Sequence, residues 1–172
     1  MLEWGRKTNP TVLIVDDEPG ILESLADLLR REYHVLATSD PAQALELLAA
    51  GDVAVVISDQ RMPKLSGAQL LTKAASLSPD TIRILLTAYS DVDAVVQAIN
   101  DAKVFSYLSK PWKNDRILEL VKTAVETHDL AVEERRLLQE LVRLQGEEAP
   151  PELRSGIASY TRNLMSRELT RR

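Results

Sequence analysis

The sequence predicts an open, doubly wound α/β sheet of five parallel strands with a C-terminal helical extension. Five short apolar runs are separated by longer segments in which apolar residues recur three and four positions apart. Such runs are typical of strands buried on both faces, and the spacing between them is typical of helices with one apolar face. Since parallel strands need crossover connections, the alternation favours a sheet covered by helices on both sides.

The predicted strands are the apolar runs taken in order along the chain. They occupy residues 12–15, 34–37, 53–57, 82–86 and 104–108. The helical segments between and after them each carry an apolar stripe. The clearest stripes are Ile21, Leu22, Leu25, Leu28 and Leu29 in the first, Val92, Val95, Val96 and Ile99 in the fourth, and Ile117, Val121, Ala124, Val125 and His128 in the fifth. Each stripe predicts a helix face that packs on the sheet.

The fifth helix is expected to be unusually long. Neither glycine nor proline occurs from its start near residue 115 until Gly146, and Leu130, Leu137 and Leu144 repeat at seven-residue spacing. Leu141 lies at the complementary heptad position, although Glu134 occupies the one before it. This pattern predicts a short dimerising coiled coil. A helix folded back on its own domain is the alternative.

The chain is therefore expected to contain one globular domain and a helical appendage. The predicted segments are a domain at 10–128, a long helix at 115–145 that continues its fifth helix, a linker at 146–151, and at 152–170 an amphipathic helix or the start of an output region. The last 22 residues hold five arginines and two glutamates, a surplus more typical of a solvated helix face than of a nucleic-acid footprint. We expect no direct nucleic-acid contact.

Composition excludes several classes of function. With 45% hydrophobic and 27% charged residues and a net charge of −5, the chain has the composition of a soluble globular protein. Its N-terminus lacks the apolar core of a signal peptide, and no apolar run is long enough to cross a membrane. The absence of cysteine excludes disulfides, thiolate metal sites and cysteine nucleophiles. We expect a cytoplasmic protein with no membrane contact.

Charged and hydroxyl side chains follow the predicted strands. They are Asp16 and Asp17 after the first strand, Ser58 and Asp59 after the third, Thr87 and Ala88 after the fourth, and Ser109, Lys110 and Pro111 after the fifth. In a doubly wound sheet, ligands bind at the carboxyl ends of the strands. These residues are therefore predicted to meet at one edge, although each alone is more typical of a helix cap, a turn or a solvated side chain.

The predicted cluster suits phosphoryl chemistry. Asp16, Asp17 and Asp59 offer the hard oxygen ligands that Mg²⁺ prefers, and a cation would offset the repulsion between adjacent acids. Lys110 and Thr87 supply an ammonium and a hydroxyl for phosphoryl oxygens, and the small side chain of Ala88 leaves room for an incoming group. Asp59 remains as the nucleophile, because a carboxylate that attacks phosphorus forms a reactive acyl phosphate.

Four stretches, VLIVDDEPG, VVISDQRMPKLSG, ILLTAY and VFSYLSKPW, together resemble the receiver domain of two-component response regulators over about residues 10–128. The resemblance implies a flavodoxin-like sheet with strand order 2-1-3-4-5 and Asp59 as the phosphoacceptor. It also implies Mg²⁺ bound by Asp17, Asp59 and the main-chain carbonyl of Arg61, with Asp16 assisting through water. Lys110 and Thr87 would contact the phosphoryl group.

The resemblance extends to residues that shape or read the site. Pro63 and Gly67 match the family's loop after the phosphoacceptor, and Lys110–Pro111 matches a peptide bond that is usually cis. The family also implies that phosphorylation draws Thr87 inward and lets Tyr107 turn into the vacated space. Trp112, directly after Lys-Pro, is similar to a subgroup found in hydrogenase-type transcriptional regulators and in receivers fused to HD-type cyclic-dinucleotide phosphodiesterases.

Two functions follow as expectations. In the first, the chain is a switch that accepts a phosphoryl group from a histidine kinase or phosphotransfer protein and relays it through the C-terminal helix to homodimerisation or an output partner. It would catalyse only its own phosphorylation and dephosphorylation and would not be a turnover enzyme. In the second, the chain regulates a DNA-binding or phosphodiesterase domain encoded beyond Arg172. A Mg²⁺-dependent phosphatase with an aspartate nucleophile is a weaker third interpretation, because Arg61 occupies the position of that class's second acid.

Overall fold

The computed structural model describes residues 9–88, 96 and 100–148 of the chain. One sheet of five parallel strands has the order β2-β1-β3-β4-β5, which confirms the predicted fold and strand order. The strands are β1 (Thr11–Val15), β2 (His34–Thr38), β3 (Val53–Asp59), β4 (Ile82–Ala88) and β5 (Ser106–Lys110). The described helices are α1 (Pro19–Leu29), α2 (Pro41–Ala50), α3 (Gly67–Leu77) and α4 (Asn114–Glu148).

Two apolar layers sandwich the sheet. Successive residues of a strand point to opposite faces, so Val12 and Ile14 of β1 belong to one layer and Leu13 and Val15 to the other. The first layer packs on α1 and α4, and the second on α2 and α3. Every residue of β3 is buried, as expected for a strand with neighbours on both sides and helices on both faces.

The helix starts have local sequence causes. Pro19 and Pro41 occupy the first turns of α1 and α2, where no backbone donor is needed. Asp40 caps α2 by accepting from the Ala42 N–H, and Ser66 begins α3 with a capping box. The predicted stripe of α1 is confirmed, since Leu25 and Leu29 are buried and its other three members pack against the same core.

The fifth strand lies two residues later than predicted. The run at 104–108 predicted its position, but β5 pairs with β4 from Ile84↔Ser106 to Ala88↔Lys110. The sheet register overrides the local strand propensity of Val104 and Phe105, because the ladder hydrogen bonds to β4 decide where pairing starts. β3 and β4 likewise run two residues beyond their apolar cores. As a result, Asp59, Ala88 and Lys110 are the last residues of their strands, whereas the sequence predicted them two positions after the strand ends.

Part of the predicted fourth helix lies outside the described residues. The structure does not describe three members of its predicted stripe, Val92, Val95 and Ile99. The fourth member, Val96, is helical and 52% exposed. Residues 100 and 101 are also helical. The described structure therefore does not test the apolar face proposed for this segment.

The chain divides into two compact units, Met1–Asp129 and Leu130–Arg172. The helix named α4 is the predicted fifth helix. In the first unit, its predicted apolar stripe is buried at Ile117, Val121, Ala124 and Val125. In the second unit, α4 continues to Glu148, three residues past the predicted end, because a single glycine such as Gly146 weakens a helix without ending it. The predicted segments from residue 149 onward lie outside the described residues. Within the described part of the chain, no helix is both long and apolar enough to cross a membrane.

Candidate functional site

Three carboxylates meet at the carboxyl edge of the sheet. Asp16, Asp17 and Asp59 each place one oxygen within 4.8 Å of the others. Asp16 directly follows β1 and Asp59 ends β3, and these strands are neighbours with Val15 opposite Ser58. Asp16 and Asp59 are buried, whereas Asp17 is exposed. The three acids therefore converge as predicted, and two of their side chains are buried while the third is exposed to solvent.

Lys110 joins the acids from the far strand. Its Nζ lies 2.7 Å from Asp59 Oδ1, 3.0 Å from Asp16 Oδ2 and 3.6 Å from Glu18 Oε1. Desolvation would lower the pKa of Lys110, but the hydrogen bonds from its ammonium to Asp59 and Asp16, together with the negative charges of both carboxylates, outweigh it and raise the pKa above its ordinary value. The side chain therefore stays charged at neutral pH and balances the buried carboxylates. The Lys110–Pro111 peptide bond that follows is cis.

Asp16 and Asp59 differ in what surrounds them. Burial raises the pKa of Asp16, although the Glu18 N–H donates to its Oδ1 at 2.9 Å and Lys110 donates to its Oδ2. Asp59 has both oxygens engaged, Oδ1 by Lys110 and Oδ2 by the Arg61 N–H at 2.8 Å. These two contacts fix the orientation of the buried Asp59 carboxylate.

Thr87 and Tyr107 lie on adjacent strands at the same face of the sheet. Leu85 pairs with Tyr107 and Thr87 with Ser109, so the two residues are diagonal neighbours. Thr87 is 2% exposed and its hydroxyl donates to the Ala88 carbonyl at 3.2 Å, while Tyr107 is 49% exposed. Ala88 itself stands beside Lys110 in the β4–β5 register.

The loop from β3 to α3 packs tightly against the strand end. A Cβ atom on Gly67 would collide with the Asp59 carbonyl oxygen and lie 2.8 Å from Leu85 Cδ1. Pro63 is exposed within the loop, and the Leu65 N–H donates to its carbonyl at 2.8 Å. Glycine at position 67 is thus required by close approach, not by an unusual backbone angle.

Glu18 was not predicted as a site residue. Its side chain approaches Lys110, and its N–H binds Asp16. The signal that could have found it is the run of three consecutive acids at 16–18, of which only the first two were assigned to the cluster.

The donor set fits a hard divalent cation such as Mg²⁺. All three converging ligand atoms are carboxylate oxygens, the donors that Mg²⁺ prefers. The contact between the Lys110 ammonium and Asp59 shows that the cluster attracts positive charge. Asp16, Asp17 and Asp59 would hold the ion. The bond from the Arg61 N–H to Asp59 Oδ2 holds Arg61 next to Asp59, and the main-chain carbonyl of Arg61 remains a predicted ligand of the cation.

Comparison with known proteins agrees with this geometry. The sequence-family model of the response regulator receiver domain matches residues 12–122 of this chain. The hydrogenase transcriptional regulatory protein HoxA of Bradyrhizobium diazoefficiens is 36% identical over 123 residues, which cover 72% of this chain and 25% of that protein. The C4-dicarboxylate transport transcriptional regulatory protein DctD of Rhizobium meliloti is 33% identical over 129 residues, covering 74% and 28%.

A solved structure gives the same result. The signal receiver domain of an HD domain-containing protein from Pseudomonas fluorescens Pf-5 has 36% sequence identity and a TM-score of 0.71, covering 77% of this chain and 98% of that one. The similar proteins thus include a hydrogenase regulator and a receiver domain from an HD domain-containing protein. The chain spans about a quarter of the length of the curated relatives it matches. With the family model matched over most of the chain, the protein belongs to the response-regulator receiver family.

Proposed function

We propose that this chain is a phosphorylation-dependent switch of a two-component system in the cytoplasm. Asp59 accepts a phosphoryl group from a histidine kinase or a phosphotransfer protein. The observation that carries the proposal is the contact of Lys110 Nζ with Asp59 Oδ1 at 2.7 Å, inside a cluster of three converging carboxylates. A buried carboxylate held by an ammonium at the carboxyl edge of a parallel sheet is arranged to receive an anionic group.

The chemistry is an in-line displacement at phosphorus. One oxygen of the Asp59 carboxylate forms a bond to phosphorus as the bond from phosphorus to the donor's histidine nitrogen breaks, and that nitrogen keeps the electron pair. Lys110 keeps its ammonium beside the transferred group and offsets the added negative charge, and the Thr87 hydroxyl donates to another phosphoryl oxygen. Asp16, Asp17, Asp59 and the Arg61 carbonyl would hold Mg²⁺, which would offset the negative charge of the acids and of the phosphoryl group.

The acyl phosphate is a mixed anhydride, so water returns it to carboxylate and inorganic phosphate. The chain then acts once on itself for each signal and is not a turnover enzyme. The exposed rim of the site, where Asp17 and Arg61 lie, gives water its access.

The signal leaves the site through Thr87 and Tyr107. A phosphoryl group adds almost two negative charges and three acceptors, which attract the Thr87 hydroxyl away from the Ala88 carbonyl. The space that Thr87 leaves lies on the face of the sheet that carries Tyr107, and the Tyr107 side chain is half exposed. Homodimerisation through the exposed leucines of α4 is the output that we propose.

A second output is favoured by the lengths of the relatives. The matched proteins HoxA and DctD are named as transcriptional regulators, and this chain covers 25% and 28% of them. In this alternative, the receiver controls a DNA-binding domain, or a phosphodiesterase of the HD type, that lies beyond Arg172. The phosphatase interpretation is not proposed, since the chain belongs to the receiver family.

The test is intact-protein mass after incubation with Mg²⁺ and acetyl phosphate. We expect the wild type to gain the mass of one phosphoryl group, and Asp59→Asn to gain none. Asp52→Asn is the matched control, because Asp52 is an exposed aspartate just before β3, at the opposite end of that strand, and should leave the gain intact. A gain in mass by Asp59→Asn, or none by the wild type even with a histidine kinase, would contradict the proposal.

A further inference from the structure

Gln60, the residue after Asp59, connects three parts of the fold. Its N–H donates to the Leu86 carbonyl at 2.8 Å, which continues the contact between β3 and β4. Its own carbonyl accepts from the Gly67 N–H at 3.1 Å, and its side-chain Oε1 accepts from the Ala68 N–H at 3.0 Å. Gln60 thus joins the end of β3 to the first two residues of α3.

These contacts complete the N-terminus of α3. The first N–H groups of a helix have no acceptor within the helix and need one from outside. Ser66 Oγ accepts from the Gln69 N–H at 3.2 Å, whereas the Gly67 and Ala68 N–H groups are both satisfied by Gln60. The cap of α3 is therefore shared between the residue before the helix and one that lies on the far side of the loop.

The loop that Gln60 closes consists of residues 61–66. Its first residue, Arg61, donates its N–H to Asp59 Oδ2, and Lys64 within it has a φ of 70°, a conformation uncommon for a residue with a side chain. The surrounding contacts must hold such a conformation in place. An apolar side chain at position 60 would keep the main-chain contacts but leave the Ala68 N–H without its acceptor.

We propose that Gln60 is a positioning residue for the phosphoacceptor site. Its side-chain oxygen, bound to the Ala68 N–H, fixes loop 61–66 and with it the Arg61 backbone that orients Asp59 and offers a carbonyl to the cation. The inference rests on the proposed function, because the carbonyl matters only if the site takes Mg²⁺. Gln60 acts through Arg61 and does not itself touch the reacting atoms.

A second glutamine separates positioning from simple helix capping. Gln69 Oε1 accepts from the Ser66 N–H at 3.0 Å, so it makes a bond of equal length at the same helix end. That bond is local to the capping box and does not reach the strand end that carries Asp59. Removing either glutamine's acceptor costs this helix end one hydrogen bond, but only the bond of Gln60 joins α3 to the residue that follows Asp59.

The experiment compares Gln60→Met, Gln69→Met and Gln60→Glu with the wild type, all in the full chain. Mg²⁺ affinity is measured by calorimetric titration, and amide hydrogen exchange at Ala68 is measured by NMR without metal. We expect Gln60→Met to weaken Mg²⁺ binding by about tenfold, the lower end of what loss of a residue supporting metal ligands costs. Gln69→Met should bind Mg²⁺ as the wild type does. Exchange at Ala68 should speed up in Gln60→Met and return to the wild-type rate in Gln60→Glu, which keeps an acceptor.

The outcomes separate the two proposals. Equal loss of Mg²⁺ affinity in Gln60→Met and Gln69→Met, or wild-type affinity in Gln60→Met, overturns the positioning role while the wild type still binds Mg²⁺ and takes a phosphoryl group. A wild type that does neither overturns the proposed function and this inference with it. If Gln60→Met does not fold, wild-type exchange at Ala68 in Gln60→Glu supports the side-chain contact and fast exchange there overturns it.

Discussion

Gly67 packs directly against the main-chain carbonyl of Asp59, so that the start of α3 touches the residue proposed to carry the phosphoryl group. Gly67→Ala would press a methyl group into that oxygen and against Leu85 Cδ1. We expect a loss of about 1–3 kcal/mol in the free energy of unfolding, the usual cost of overpacking. Urea unfolding followed by circular dichroism measures it.

Gly20→Ala is the matched control for this substitution. Gly20 lies in the first turn of α1, and an added Cβ there meets nothing within 4 Å. Because alanine favours the helix more than glycine does, this variant should be as stable as the wild type or more stable by up to about 1 kcal/mol. Equal stability of the two alanine variants would show that the Gly67 contact yields without cost.

Lys110→Met tests the balance of charge in the site. The substitution keeps most of the aliphatic stem but leaves the buried Asp16 and Asp59 carboxylates without their ammonium. In the presence of EDTA, we expect it to destabilise the fold by up to about 3 kcal/mol, less than a fully buried pair would, because the lysine side chain is 20% exposed. Urea unfolding with and without Mg²⁺ is the measurement.

Mg²⁺ should restore part of this stability. A cation that binds only the folded state stabilises it more the tighter it binds, and the variant has lost the competing ammonium. Lys113→Met, at an exposed lysine three residues later, should behave as the wild type in both buffers. Full stability of Lys110→Met in EDTA would mean that the carboxylates do not depend on Lys110.

Asp16→Asn should change the dependence of stability on pH. Burial raises the pKa of Asp16 above its ordinary 3.8, so the folded protein binds a proton there more tightly than the unfolded chain does. The wild type therefore loses stability as pH rises from 3.8 through the raised value, and the loss persists at neutral pH. Asparagine cannot ionise, so the variant escapes this loss while its side-chain oxygen can still accept from the Glu18 N–H.

Urea unfolding in EDTA, from below pH 3.8 to neutral pH, gives the difference in the free energy of unfolding between Asp16→Asn and the wild type. We expect the difference to grow in favour of the variant as pH rises. Asp27→Asn is the control, since Asp27 forms only an exposed pair with Arg30 and its curve should run parallel to the wild type. A constant difference between Asp16→Asn and the wild type would exclude the titration of Asp16 as its cause.

The sequence predicted the residues at the carboxyl edge because parallel topology alone brings the ends of neighbouring strands together. It placed β5 two residues early, since apolar Val104 and Phe105 resemble a strand start and only pairing with β4 sets the register. It also missed Glu18 and the reach of Gln60 to Ala68, because such contacts depend on side-chain directions across a loop. The residues that form this site can thus be predicted from the sequence, whereas contacts that depend on strand register and loop closure cannot.

Thr87→Val tests the proposed path of the signal. The substitution keeps the buried volume but removes the hydroxyl, so Asp59 should still accept the phosphoryl group while Tyr107 no longer responds. Fluorotyrosine NMR reports the response, with the Tyr107 signal assigned by its loss in Tyr107→Phe. We expect this signal to shift on phosphorylation in the wild type and in Thr127→Val, whose hydroxyl bonds only to the Thr123 carbonyl of α4. A wild-type shift in Thr87→Val would exclude the hydroxyl from the path.

Paired substitutions of Leu137 and Leu141 by lysine test the proposed dimer. In the second unit these side chains are 50% and 56% exposed on α4, at heptad positions that would face a second copy. Burial of a leucine is worth about 1.5–3 kcal/mol, so losing both on each chain should weaken association by at least about a hundredfold. Light scattering over a concentration series, with and without acetyl phosphate, measures the change.

Val132→Lys separates the leucine seam from general hydrophobicity. Val132 is 42% exposed on the same helix but outside the predicted seam, so this variant should associate as the wild type does. If Val132→Lys and the paired leucine variant weaken association equally, the contact is not a coiled coil in this register. If the wild type stays monomeric in both phosphorylation states, the exposed leucines do not mediate self-association, and the output must lie with a partner or with a domain beyond Arg172. Light scattering of the wild type therefore tests homodimerisation as an output, and the two variants test the register of the helix contact.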